Sequence, residues 1–238
     1  MKDVKSGMAL EIEKAERAYA PPVSALLRLG DPRELKKKTT AKALGIGREQ
    51  IPDLIRMATD DTLNFADGDT PLVWAPLHAW RLLGEIKAPE AVEPLISLFR
   101  RLDEDFDDWI ADEVPDVLVQ IGTPALPPLM AFLNDAANGT NSRNEAASAI
   151  AKLAETYPDV RDSCIDALKG QLEQYAQQSM EFNGFLVWML LDLHAAEALP
   201  IIERAFAAGR VDESFAGDWE DIQTAEHDAP SPEVCKSV

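Results

Sequence analysis

A chain of 238 residues with 46% hydrophobic and 27% charged side chains has the composition of a folded globular protein, which excludes a disordered or fibrous polymer. Its 42 acidic residues against 23 basic ones leave a formal charge of -19, so a phosphate backbone is repelled and direct nucleic-acid binding through the body of the chain is disfavoured. The longest apolar stretch, GFLVWMLL at 184–191, stops at Asp192, far short of the roughly 20 residues that a membrane-spanning helix needs.

Near the start, Glu11, Glu13, Lys14, Glu16 and Arg17 stand where a secretory signal needs an unbroken apolar region, so the expected compartment is the cytoplasm. Residues 1–50 carry 11 Lys/Arg against 7 Asp/Glu, which leaves 12 against 35 for the rest and makes the chain electrically two-ended. Three helices are predicted here, over 22–29, 33–44 and 51–58, broken by Gly30-Asp31-Pro32 and by Gly45-Ile46-Gly47. Residues 1–60 read as a divergent helical cap on an array that follows. Arg33, Lys36, Lys37, Lys38 and Lys42 form a basic cluster. It suits a solvated helix face, a contact to nucleic acid, or docking on the acidic surface of a second copy, and self-association therefore stays open.

From Pro71 onward apolar residues recur at steps of three and four, as in Val73, Leu77, Trp80 and Leu83, then Val92, Leu95, Ile96 and Phe99, which places each set on one stripe of a helix. Strand signals are scarce, with only 12 glycines and no Asn-Gly or Asp-Gly turn between alternating apolar runs. Three segments can be laid over one another. Leu82-Leu83-Gly84-Glu85-Ile86 leads into a run containing Pro94, Val119-Gln120-Ile121-Gly122 into one containing Pro127, and Leu190-Leu191-Asp192-Leu193 into one containing Pro200. The first turn of a helix has N–H groups without intrahelical partners, so proline is tolerated there, and each of these prolines marks the start of a second helix. Residues 144–157 and 160–174 form a further pair without the proline.

The segment LLGEIKAPEAVEPLISLF, residues 82–99, resembles the phycobilisome-lyase-like variety of HEAT repeat. DGDTPLVWAPLHAWRLLGEI, together with DESFAGDWED, is similar to a bacterial group of uncharacterised HEAT-repeat proteins. The resemblance implies an all-α fold, a right-handed α-α superhelix of about five to six helix pairs, with HEAT-like repeats over 61–210. By its composition, 211–238 reads as an acidic segment and a disordered tail. The resemblance also reaches the phycobilin lyases, so a bilin lyase-like enzyme or subunit is one alternative; repeat type alone carries no chemistry.

The residues themselves point away from catalysis and from any cofactor. Neither GxGxxG nor GxxxxGK[ST] is present, so no glycine loop cradles a phosphate. Cys164 and Cys235 lack metal spacing, Cys164 reading as a core thiol and Cys235 as a tail thiol. His78, His194 and His227 do not pair, and His78 reads as a packing or capping residue. The acidic run from Asp103 to Asp108 begins like a calcium loop but has Asp108 where glycine is needed and Val114 where the closing glutamate belongs, so no EF-hand is expected and only a weak surface site for divalent cations stays open.

Three clusters set aromatic residues among acids: Asp67 and Asp69 before Trp74, Asp107 and Asp108 with Trp109 and Asp112, and Asp218, Trp219 and Asp221. Acids at these places have a structural explanation as helix caps. The functional expectation is that connectors on one edge of an array line up into an acidic, aromatic-studded surface, on which Trp109 and Trp219 act as exposed anchors for a basic protein. The expected role is a non-catalytic scaffold or adaptor; a further alternative is DNA mimicry.

Overall fold

The computed structural model describes the backbone of residues 2–35, 39–104, 107–215, 217–220 and 222–223, with side chains from residue 9 onward. Lys36, Lys37, Lys38, Asp105, Phe106, Asp221 and the tail from 224, with His227 and Cys235, lie outside the described residues. Among the described residues every regular element is helical and none is a strand. No single helix among them is long and apolar enough to cross a membrane. The chain divides into two compact units, Met1–Val160 and Arg161–Val238.

The first unit holds α1 (Lys2–Ala18), α2 (Ala41–Leu44), α3 (Ile51–Ala58), α4 (Asp61–Asn64), α5 (Ala75–Glu85), α6 (Val92–Ser97), α7 (Asp108–Ile121), α8 (Leu126–Asn134) and α9 (Thr140–Thr156). Helices α3, α5, α7 and α9 pack each against the next, while α6 packs on α7 and α8, and α8 on α9. The apolar stripes read from the sequence fill the space between them: Leu54, Leu82, Leu83, Leu95, Phe99, Val114, Leu118, Leu129 and Ile150 are all buried. Trp80 is buried with its indole N–H donating to the Ala58 carbonyl at 2.9 Å, so the ring gains its apolar contacts without stranding a donor.

The connectors between paired helices share one construction. Lys87 and His194 both have positive φ, 51° and 50°. In the first, Lys87 N–H donates to Gly84 O and Ala88 N–H to Leu83 O; in the second, His194 N–H donates to Leu191 O and Ala195 N–H to Leu190 O. These paired bonds are Schellman motifs, which satisfy helix-end carbonyls by turning one residue into the left-handed region. Gly122, with φ of 108°, stands at the corresponding place after α7, and α7 and α8 meet there at a bend of 116°. Each turn runs into one 3-10 turn, Pro89–Ala91, Thr123–Ala125 or Ala196–Ala198, and then into the helix that carries the proline.

The second unit contains α10 (Arg161–Leu172), α11 (Met180–Asp192) and α12 (Leu199–Ala207), with α10 against both others. Its interior has a polar tie. The fully buried Asn183 amide donates to the carbonyls of Tyr175 (3.0 Å) and Arg210 (2.7 Å), while Arg210 donates to those of Tyr175, Ala176 and Gln178. Carbonyls that no helix satisfies thereby find donors.

Two N-terminal elements differ from the sequence reading. Residues 2–18 form a 17-residue helix where none was predicted. Of the helix predicted over 33–44, only Ala41–Leu44 is described as helical. The Asp31 carboxylate accepts the Arg33 backbone N–H at 2.8 Å, forming a local turn, and Thr40 begins a new helix by accepting from Ala43 N–H at 3.2 Å. Short polar side chains that bond nearby backbone compete with helix propagation, which a purely apolar period does not register.

Candidate partner-binding site

The first two acid-aromatic clusters meet in the first unit. In the loop after α4, the Asp67 carboxylate accepts the Asp69 N–H at 3.0 Å and the Asp67 carbonyl accepts Thr70 N–H and hydroxyl, each at 2.9 Å. This turn leaves both acids exposed and delivers the chain into the 3-10 turn Pro71–Trp74. Trp74, at its end, meets Trp109, in the first turn of α7, edge to face with centroids 5.0 Å apart. Both rings are half-buried.

Asp107 sets the position of Trp109. It caps α7 by accepting the Trp109 and Ile110 N–H groups at 3.1 and 3.3 Å, and it also accepts from Arg101 at 3.4 Å. The Arg101 guanidinium in turn lies 4.3 Å above the Phe65 ring. Asp108 and Asp112 are exposed along α7.

A cation already rests on the tryptophan pair. The Arg33 guanidinium is 5.3 Å from the Trp74 centroid and 5.0 Å from that of Trp109, within the range where a ring quadrupole attracts a cation. Asp31 holds it there through bonds to Nε at 3.0 Å and Nη2 at 2.6 Å, and Arg33 in turn keeps the Asp31 carboxyl below its ordinary pKa. Beside the pair is a cavity of about 170 Å³ lined by Asn64, Gly68, Val73, Trp74, Leu77, Trp80, Asp107 and Trp109. Arg33 is not among the residues lining that pocket.

The third cluster belongs to the second unit. Trp219 is half-buried with its ring 5.8 Å from that of Phe206 on α12, Asp218 is exposed, and Asp221 lies outside the described residues. In the acidic run read against a calcium loop, the described carboxylates with bonding partners face two different helix ends. Asp107 caps α7, whereas the Asp103 carboxylate accepts the N–H groups of Gly139 (3.1 Å), Asn141 (3.0 Å) and Ser142 (3.2 Å) at the start of α9. Among the described residues, no three His, Cys, Asp or Glu side chains converge in a metal-binding group.

A wider cleft of about 610 Å³ is lined by Pro32, Thr39, Thr40, His78, Arg81, Glu85, Glu113, Asp116 and Gln120. Its charged groups are already engaged. Arg81 pairs with Glu113 through two bonds, Glu85 accepts the Ala41 N–H, and Asp116 accepts from Lys152. The buried His78 bonds Gly30 O at 2.8 Å, and burial lowers its pKa, which favours the neutral ring. Cys164 is likewise buried, its thiol pushed up to about 11, so little thiolate forms.

Sequence reasoning placed Asp67, Asp69, Trp74, Asp107, Asp108, Trp109 and Asp112 in the first unit's candidate surface but missed Arg33, Asn64 and Trp80. The sequence groups Arg33 with its basic neighbours, and the 3.6-residue period assigns Trp80 only to a core stripe. Comparison with known proteins finds no matching family model, no matching curated protein and no matching solved structure.

Proposed function

We propose that the protein is a non-catalytic interaction adaptor, a HEAT-like superhelix of helix pairs, whose acidic tryptophan surface captures a basic partner protein in the cytoplasm. The observation that carries this reading is the guanidinium of Arg33 lying over both Trp74 and Trp109. The ring pair accepts a basic side chain from within the chain, and the same chemistry suits one from outside. Asp67, Asp69, Asp108 and Asp112 surround the pair in sequence and make no ion pair among the described residues, so their charge is available to steer a basic protein and to reject acidic ones. Aromatic anchors would supply most of the binding energy.

The test is affinity capture from host lysate at physiological salt, with wild type beside a variant carrying Asp107→Asn, Asp108→Asn and Asp112→Asn, followed by direct binding of the recovered protein. Asparagine retains the α7 cap, so loss of binding reports on charge. A basic protein held by wild type and released by the variant is the expected result; equal recovery would refute the reading.

A further inference from the structure

The small pocket beside the tryptophan pair points to a particular cation. We propose that it takes the quaternary ammonium head of a methylated lysine on the partner protein, an inference that rests on the adaptor reading and specifies which side chain the site holds. Three indoles, Trp74, Trp80 and Trp109, line it together with Val73 and Leu77, and Asp107 and Asn64 are its polar members. A volume of about 170 Å³ is ample, since a benzene molecule is held in an apolar cavity of about 150 Å³.

The hydrogen-bonding capacity of the lining selects the methylated form. A primary ammonium brings three N–H donors and needs acceptors for each. Trp80 carries no acceptor, its N–H donating to Ala58 O, and the Asn64 amide nitrogen donates to Ala58 O and Asp60 O, which leaves the oxygen as that side chain's single acceptor. The Asp107 carboxylate already accepts Trp109 N–H, Ile110 N–H and Arg101. A primary ammonium entering this space would lose water without full replacement, which is costly. A quaternary ammonium has no N–H to satisfy, carries its positive charge spread over methyl groups, and gains from aromatic faces, the mode by which such cations are recognised. Arg101 offsets part of the Asp107 charge. Asp67 and Asp69, on either side of the pocket residue Gly68, and Asp108, beside Trp109, supply the rest and favour a lysine flanked by other basic residues over a free small amine.

The experiment compares three short peptides that share flanking Lys and Arg residues and differ only at the central side chain: lysine, trimethyl-lysine, and its neutral tert-butyl isostere. Binding is followed by titration calorimetry to wild type, Trp109→Phe and Asp107→Asn, with circular dichroism to verify folding; choline serves as the free quaternary amine. The trimethylated peptide is expected to bind about tenfold tighter than the other two, with most of that preference lost in Trp109→Phe. Choline is expected to bind far more weakly than the trimethylated peptide. Equal binding of lysine and trimethyl-lysine peptides, with both sensitive to Trp109→Phe, would overturn the methylation inference and leave the adaptor reading intact. Equal binding of the neutral isostere would show an apolar pocket without cation selectivity and overturn it too, as would choline matching the peptide. Failure of all three peptides to bind would overturn both.

Discussion

Asp103 offers the sharpest test of how the first unit is held together, because one exposed side chain closes the end of a helix far away in sequence. Helix α9 begins after Gly139, which has no side chain to cap it, and the Asp103 carboxylate takes that role by accepting from Gly139, Asn141 and Ser142. Losing a cap costs about 1 kcal/mol, and losing a negative charge at a helix N-terminus about 0.3–1 kcal/mol more. Asp103→Ala should therefore destabilise the first unit by about 1.3–2 kcal/mol, a fall of several degrees in Tm on the order expected for a domain this size. Asp103→Asn keeps an acceptor and should cost about half as much. The same geometry makes a coupled prediction. A Cβ on Gly139 would collide with the Asp103 carboxylate, so Gly139→Ala should be costly in wild type and nearly neutral in Asp103→Ala. Urea unfolding of the four proteins in this cycle, followed by circular dichroism and tryptophan fluorescence, gives both numbers. Additive effects, or an Asp103→Ala within about 0.3 kcal/mol of wild type, would refute the capping role.

Other predictions follow from single features. The Glu145 carboxyl is pushed up to about 7, first by burial, against Lys152 and with Asp112. Because the folded state holds this proton more tightly than the unfolded chain, the stability it confers relative to an ionised carboxylate is present below about pH 4.5 and is lost as pH rises through 7. The rise from 4.5 to about 7 sets a ceiling of about 3 kcal/mol, which partial solvent exposure reduces to about 1–2 kcal/mol. Glu145→Gln should thus be near neutral at pH 4.5 and stabilising at pH 8 in urea titrations, and a gain that does not change with pH would contradict this. Lys87→Gly and His194→Gly should each raise stability by up to about 1 kcal/mol, since glycine enters the left-handed region without a Cβ penalty; thermal melts that fall would argue against the Schellman geometry. Gly184→Ala should destabilise the second unit, because its Cβ would lie 2.6 Å from the Asp212 carbonyl oxygen, and an unchanged melt would contradict that packing.

The helical class and the paired connectors were legible because they rest on local signals. Apolar residues at steps of three and four marked α5 and α6, the repeated segments ending at Gly122 and Leu193 marked α7 and α11, and Pro127 and Pro200 marked the first turns of α8 and α12. Residues 51–58 were read as one helix and fold as α3 with those bounds. Helix α1 escaped although Val4, Met8 and Ile12 recur at steps of four, because its Lys and Glu residues were weighed only against a secretory signal. Residues 33–35 and 39–40 are not helical as predicted, because Asp31 and Thr40 bond the backbone locally, which no periodicity encodes. The acid-aromatic pattern pointed to Trp74 and Trp109, but the partner of both, Arg33, comes from another part of the chain and is recognisable only once the helices are packed. Asp103 and Asp107 looked alike as neighbours in an acidic run and serve different helices, a division that depends wholly on tertiary placement.

The central claim, that the tryptophan pair in the first unit receives a basic side chain, is tested most directly by the indole N–H resonances of the five tryptophans during titration with an unmodified Lys/Arg-rich peptide. Saturable shifts of Trp74 and Trp109 that weaken as salt is raised, with Trp188 unmoved, are the expected result. Shifts confined to Trp188 or Trp219, or an acidic peptide producing the same change, would contradict it.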